Sequence, residues 1–169
     1  MIRKGVICMS MTAAHMDVKE FIRRTNKYYQ EDTIEVPNEK GEVVPYVIGT
    51  LVRPWALCKD GFILSIQASP THHCCPCLSP KEIEEKALKS IDPEKDPDWK
   101  SHLVYYTEYE VAFQNHTKIP EWSGKYRYEV WNSGERDMNI YYAFVSLEDL
   151  EELVRKHDGI ERIMEEILS

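Results

Sequence analysis

The stretch LVRPWALCKDGFILSIQAS, residues 51–69, predicts a β-hairpin. Its two apolar and aromatic runs flank KDG, residues 59–61, a combination typical of a tight turn between antiparallel strands. Pro54 has no backbone N–H to donate, so we expect the first strand to be an edge strand or a bulged one. If the chain reverses at the KDG turn, position 53 lies roughly opposite position 67.

Capping signals predict helices on both sides of this hairpin. An N-terminal helix over about 17–30 begins with Asp17 as its N-cap. A middle helix begins after Ser79, where Pro80 suits the first helical position and Glu82 completes a capping box. The middle helix is expected to bury Ile83, Ala87 and Leu88.

The end of the chain carries the strongest helix signal. Ser146 is a typical N-cap residue and Asp149 stands three positions later, so a C-terminal helix is predicted from there. Gly159 is expected to end that helix. The apolar stripe that follows over 160–167 predicts a shorter final helix, and this stripe is a candidate seam for a homodimer.

The remaining apolar segments are predicted as strands, and the second half of 102–115 alternates as a half-buried strand does. They lie at about 33–36, at 43–50, in the second half of 102–115, at 125–131 and at 138–145. The order of elements predicts an α+β domain. In it a mainly antiparallel sheet of about four to six strands packs with an N-terminal, a middle and a C-terminal helix.

Size and charge set further bounds. The chain has 169 residues, and we expect residues 1–15 to be a disordered leader and 16–169 to form a single domain. The formal net charge is -8, which argues against general affinity for nucleic acids or anionic membranes. Five cysteines, three of them crowded together, fit a reducing compartment, so a cytoplasmic location is expected. No apolar run approaches the length of a membrane span.

The loop THHCCPCLSP, residues 71–80, is the most unusual stretch. Its two histidines and three cysteines are competent zinc ligands, but a structural site needs a second pair of ligands. Cys58 is a poor candidate because it lies at the opposite end of the hairpin. Alternatively, the start of the middle helix and a neighbouring histidine would favour a thiolate at Cys75 or Cys77, as a Cys/His enzyme requires.

A third interpretation makes this loop part of a ligand-binding rim. Arg53 and Gln67 would meet where the loop leaves the sheet, and a guanidinium near aromatic and hydroxyl groups suits a nucleotide-like or phosphate-bearing ligand. The simpler alternative is a solvated cross-strand pair of Arg53 and Gln67. The predicted ligand-binding residues are Arg53, Trp55, Gln67, Ser69, His72 and His73.

The common motifs of nucleotide, metal and hydrolase sites do not occur in this sequence. GxxxxGK, GxGxxG, HExxH and GxSxG are all missing. We therefore assign no catalytic residue, metal ligand or cofactor from the sequence.

The segment SIQAS, residues 65–69, followed by His73, Cys74 and Pro76, resembles small proteins of Firmicutes and their phages. The resemblance extends to YAFVSLEDLEELVRKHDGI, residues 142–160. Such proteins usually carry an arginine soon after the proline, where this chain has a cysteine. The resemblance implies a mobile-element context and supplies no established activity.

These observations favour a small cytoplasmic binding or inhibitor protein. In a phage it would act in counter-defence, either by blocking a host protein or by sequestering a nucleotide-like ligand. Two alternatives stay open: a small Cys/His hydrolase or transferase acting on a nucleotide-like substrate, and a zinc-stabilised protein-interaction module.

Overall fold

A computed structural model describes residues 15–114, 120, 122, 124–132 and 138–165. The predicted leader lies outside these residues except for His15. The helices are α1 (Val18–Thr25), α2 (Pro80–Ala87), α3 (Trp99–His102) and α4 (Leu147–Lys156). The strands are β1 (Tyr29–Pro37), β2 (Val43–Leu51), β3 (Trp55–Cys58), β4 (Ile63–Gln67), β5 (Glu108–Gln114), β6 (Tyr128–Asn132), β7 (Met138–Ser146) and β8 (Ile160–Met164).

Two antiparallel sheets organise the described chain, which confirms the predicted α+β class. The larger sheet has six strands in the order β6-β7-β5-β4-β3-β8. Strands β1 and β2 form a separate two-stranded sheet, paired from Tyr29 opposite Leu51 to Pro37 opposite Val43. We call these two strands and the turn between them the arm. No helix in the described residues is long and apolar enough to cross a membrane.

The predicted hairpin is present as β3 and β4. Its turn contains Gly61 with a φ of 88°, a conformation that glycine adopts without strain. Ala56 pairs with Leu64, and β3 also pairs with β8 on its other side. The first strand is therefore not an edge strand; instead its pairing with β8 is irregular between Leu57 and Cys58, which matches the bulged alternative.

One face of the six-stranded sheet carries the core, and helices α1 and α4 contribute to the same cluster of buried side chains. Alternate positions on paired strands point to this face, so residues such as Leu64, Phe113 and Tyr109 are buried together. The largest fully buried apolar side chains are Phe21, Ile22, Leu64, Ile66, Tyr106, Tyr109, Phe113, Leu150 and Ile160.

The predicted short helix over 160–167 is wrong for the residues that the structure describes. Residues 160–164 form strand β8 instead, and Ile160 exchanges backbone hydrogen bonds with Met16 at 3.0 Å in both directions. Asp158 and Gly159 both have positive φ, which reverses the chain after α4 and sends it along β3. Burial of Ile160 in the core removes it from the predicted dimer seam.

The predicted helix caps are confirmed. The side chains of Asp17, Ser79 and Ser146 each accept a hydrogen bond from the backbone N–H three residues later. Helix α1 ends at Thr25, earlier than predicted, because a short 3-10 turn over Asn26–Tyr28 leads directly into the arm.

The predicted buried face of α2 is only partly right. Ile83 is buried, but Ala87 is half-buried and Leu88, which lies beyond the last residue of α2, is exposed.

Candidate functional site

Gln67 holds the chain just before β3. Its Oε1 accepts a hydrogen bond from the Arg53 backbone N–H at 2.8 Å, and its Nε2 donates to the Arg53 carbonyl at 2.9 Å and to Ser65 Oγ at 2.8 Å. The Gln67 carboxamide thus bonds to the Arg53 backbone as a peptide group of a neighbouring strand would, and it holds the chain on the N-terminal side of Pro54 beside β4. The predicted meeting of Arg53 with Gln67 is present, but both residues are buried, so they are not a solvated pair.

The Arg53 side chain is 1 % exposed. Its Nη1 donates to the Ala68 carbonyl at 2.7 Å and its Nη2 donates to Asn26 Oδ1 at 2.8 Å. The guanidinium also lies over the ring of Tyr106, with 5.6 Å from Cζ to the ring centroid. Burial lowers the pKa of Arg53, since it disfavours the charged form. This residue therefore ties the end of α1 to the end of β4.

The chain beyond β4 forms a turn held by Ser69. Its Oγ is 2.7 Å from His72 Nδ1 and 3.0 Å from Thr71 Oγ1. Ser69 is fully buried, so its hydroxyl does not face a substrate as a serine nucleophile does. Burial is the main reason why the pKa of His72 is lowered, and the nearby Arg53 charge acts in the same direction.

Two of the predicted ligand-binding residues lie apart from this cluster. His73 is exposed, and its Nδ1 is 2.7 Å from Glu110 Oε2 on β5. Trp55 begins β3 and pairs with Met164 of β8, on the opposite side of β3 from β4. Of the six predicted residues, the structure brings together Arg53 with Gln67, and Ser69 with His72.

The cysteines of the loop do not form a nucleophilic pair with histidine in the described residues. Cys74 is buried and donates from Sγ to the Ser69 carbonyl at 3.2 Å. Burial raises the pKa of its thiol to about 12. Cys77 donates from Sγ to the Cys74 carbonyl at 3.0 Å.

The start of α2 is already occupied by a carboxylate. Glu82 Oε2 accepts hydrogen bonds from Ser79 N at 2.8 Å and from Ser79 Oγ at 2.9 Å, which lowers the pKa of Glu82. The partial positive charge of the helix N-terminus is thus satisfied by the chain itself. The Glu82 carboxylate beside the loop disfavours the thiolate that the sequence suggested at Cys75 or Cys77.

Within the described part of the chain, no three His, Cys, Asp or Glu side chains are placed to hold a metal ion. Cys58 is buried at the turn end of β3, where burial raises the pKa of its thiol to about 12. The zinc interpretation therefore has no assembled ligand set among these residues.

The thiols are expected to differ sharply in reactivity. With iodoacetamide at pH 8, we expect Cys75 and Cys77 to be alkylated on the order of a thousandfold faster than Cys58 and Cys74, because the last two are buried and hold almost no thiolate. Fragmentation mass spectrometry resolves the four sites over time. Labelling of Cys74 at the rate of Cys75 would contradict the buried position of Cys74.

Sequence reasoning missed three parts of this region. Asn26 contacts Arg53, although the two residues are 27 positions apart in the sequence, and no sequence motif predicts this contact. The Tyr106 ring lies against the guanidinium, although the tyrosine-rich segment gave only a strand signal. The two strands of the arm were predicted, at 33–36 and 43–50 with a tight turn between them, but the independence of the arm from the main sheet had no sequence signal.

Two open clefts border the described structure. One, of about 380 Å³, lies between the base of the arm and the start of α2, with Tyr29, Gly49 and Ser79 among its lining residues. The other, of about 710 Å³, lies beside the start of α1 and α4, and five of its eleven lining residues are acidic. Neither is lined by Arg53, Gln67 or His72.

Comparisons of the chain with protein families, with curated proteins and with solved structures found no match.

Proposed function

We propose that this protein is a binding protein that docks through its arm onto another protein, whose surface has an apolar cleft edged by Lys and Arg. The observation that carries the proposal is the arm itself. A two-stranded ribbon on its own is marginally stable in water, and here it pairs with no strand of the main sheet. A partner that covers it would supply the missing burial.

The arm presents apolar side chains to solvent. Ile34 lies opposite Tyr46, and Val36 opposite Val44, so these four share one face. Tyr46 is 58 % exposed, and Val47 on the other face is exposed to the same extent. Contiguous exposed apolar surface of this kind typically marks an interaction site.

The charges on the arm indicate the chemistry of its partner. Five acidic residues on the arm are exposed, against one exposed lysine, Lys40. The acidic residues are Glu31, Asp32, Glu35, Glu39 and Glu42. Complementary interfaces place positive charge opposite negative, so the partner should carry basic residues around its apolar cleft. A second copy of this acidic chain would bring like charges together, which disfavours self-association.

The resemblance to small proteins of Firmicutes and their phages adds a context to this proposal. In that context the partner is a host protein in the cytoplasm, and docking of the arm blocks it. The enzyme alternative has less support, because the described loop thiols and histidines form no Cys/His pair. A nucleotide-like ligand also has less support, because Gln67 and most of the Arg53 guanidinium are engaged within the chain.

The test uses the full chain immobilised and exposed to an extract of the cells in which it is naturally expressed. Tyr46→Asp places a charge in the apolar face of the arm and is expected to weaken binding of the partner at least about tenfold, since an interface charge facing an apolar surface costs about 1.4 kcal/mol or more. Leu88→Asp, an exposed apolar site off the arm, is the matched control and should retain binding. Calorimetry with the purified partner measures both affinities.

The salt dependence of partner binding and the concentration dependence of self-association test the proposal further. Partner affinity should fall as salt rises, because the acidic rim contributes through charge. Loss of binding in Leu88→Asp with retention in Tyr46→Asp would refute the arm as the docking site. A concentration-dependent dimer that Tyr46→Asp dissolves would assign the arm to self-association and would also overturn the proposal.

A further inference from the structure

Two cysteines of the loop before α2 are spaced for a disulfide. Cys74 and Cys77 stand three positions apart in CCPC, residues 74–77, and C-x-x-C is a spacing at which redox-active thiol pairs occur. The proposed function uses neither thiol. Spacing alone does not bring two sulfur atoms together, so the contacts of each thiol decide whether the pair is able to close.

Each of these thiols lies beside the backbone of the other residue. Cys77 Sγ donates a hydrogen bond to the Cys74 carbonyl at 3.0 Å. Cys74 Sγ lies 3.6 Å from the Pro76 carbonyl, which belongs to the peptide unit that joins Pro76 to Cys77. Burial raises the pKa of the Cys74 thiol, and the nearby Cys77 thiol raises it further. The turn over 74–77 therefore holds the two sulfur atoms close together.

The third cysteine of the loop is held differently. The backbone of Cys75 pairs with the start of β5, where its N–H donates to the Glu108 carbonyl at 3.2 Å and its carbonyl accepts from Thr107 N at 2.8 Å. The Cys75 side chain is exposed. The hydrogen bonds of the loop thiols thus link Cys74 with Cys77, and Cys75 provides an internal control.

The two linked thiols differ in access. Cys77 is exposed and lines the cleft of about 380 Å³ between the base of the arm and the start of α2, whereas Cys74 is 1 % exposed. A small disulfide molecule therefore reaches Cys77 from the cleft but does not reach Cys74 directly. This is the arrangement of an attacking thiol with a resolving thiol behind it.

We propose that Cys74 and Cys77 form a reversible dithiol site that is oxidised by small disulfide molecules. In the first step the Cys77 thiolate attacks one sulfur of the small disulfide, forms a mixed disulfide and releases one thiolate, which takes up a proton from water. In the second step Cys74 gives its proton to water and its sulfur attacks Cys77 Sγ, which closes the internal disulfide and releases the second thiolate. Two electrons pass from the protein to the small disulfide, which ends as two thiols.

The surroundings of Cys74 favour the second step once the first has occurred. Formation of the mixed disulfide removes the Cys77 thiol that helps to raise the pKa of Cys74, and the positive charge of Arg53 acts to lower that pKa. A sulfur held beside its target also reacts at a high effective concentration. The exchange does not require the activated thiolate of an enzyme, because ordinary thiols exchange with disulfides within hours.

The test is an equilibrium of the full chain with reduced and oxidised glutathione, stopped by acid and mapped by mass spectrometry on the peptide that contains residues 74–77. An internal disulfide releases two glutathione thiols, whereas a mixed disulfide releases one. Both forms of glutathione are then diluted about tenfold at a fixed ratio. We expect the ratio of internal disulfide to dithiol to rise by about the same factor, while the ratio of mixed disulfide to free thiol stays constant.

Serine variants identify the pair. Cys77→Ser is expected to lose the internal disulfide and to form only mixed disulfides, which do not respond to the dilution. Cys75→Ser removes the other exposed thiol of the loop and is the matched control, so it should respond as the wild type does. Both replaced side chains are exposed, so both variants should keep the circular dichroism spectrum of the wild type.

Each outcome decides the proposal. A rise of the internal disulfide on dilution in the wild type and in Cys75→Ser, but not in Cys77→Ser, supports the Cys74–Cys77 site. An internal disulfide that persists in Cys77→Ser or disappears in Cys75→Ser would assign the bond to Cys75 and would overturn the proposal. Mixed disulfides alone in the wild type at every dilution would show that the two sulfur atoms do not meet, which would overturn it as well. These measurements need no partner protein, so their result is separate from the docking of the arm.

Discussion

Replacement of Gln67 with leucine is expected to lower the free energy of unfolding by about 2–4 kcal/mol, although leucine has nearly the same volume. The substitution removes the carboxamide that bonds to the buried N–H and carbonyl of Arg53. It also removes a hydrogen-bond partner of Ser65 Oγ. Each buried polar group left unpaired costs about 1–3 kcal/mol, and the added apolar contact offsets only part of that sum. Chemical denaturation monitored by circular dichroism measures the change.

Gln30→Leu is the matched control for this prediction. Gln30 lies on β1 of the arm and is exposed, so its replacement should change the free energy of unfolding by no more than about 0.5 kcal/mol. Equal effects of the two substitutions would show that the Gln67 carboxamide does not hold the chain before β3. A large effect confined to Gln67→Leu would establish that the Gln67 hydrogen bonds to the Arg53 backbone contribute to the stability of the folded core.

Phe113→Ala is expected to cost about 3–5 kcal/mol of stability, the usual range for removal of a buried aromatic ring. Phe113 is fully buried on the core face of β5. Its ring lies 5.6 Å from that of Phe62, 5.9 Å from that of Trp122 and 6.1 Å from that of Tyr142. Truncation at the centre of this group leaves a cavity that three rigid rings are poorly able to fill.

Phe144→Ala tests whether burial is the cause of that loss. Phe144 is 43 % exposed on β7, and its ring meets that of His73 edge-on at 5.8 Å. Its removal is expected to change stability by about 0.5 kcal/mol or less, since surface substitutions have small effects. Comparable losses for Phe113→Ala and Phe144→Ala in the same denaturation experiment would contradict the assignment of the core to the face that carries Phe113.

Much of the fold could be predicted because its signals are local. The hairpin of β3 and β4 follows from a turn sequence between two apolar runs, and the three long helices follow from their capping residues. Strand β8 could not be predicted in this way. Its apolar residues have helical spacing, and the edge of β3 overrode that local signal by offering backbone partners.

The candidate site was predictable only in part. The hairpin register placed Arg53 opposite Gln67, and the structure has that contact. Burial of the pair was not predictable, because it depends on Tyr106 and Asn26, which approach from distant parts of the chain. The sequence likewise suggested reactive cysteines beside a helix start, but the Glu82 carboxylate of the same capping box occupies that position.

Local patterns in the sequence were enough to predict the α+β class, the antiparallel hairpin and the helix starts, since each depends on neighbours within a few residues. Three features follow only from the folded chain: Arg53 is buried without a carboxylate partner from the described residues, β8 joins the main sheet, and the arm remains outside it. The physical reason is the same in all three cases. Burial and strand pairing depend on which distant segments of the chain come together. The same local pattern of residues is compatible with several such arrangements, so it does not predict which one forms.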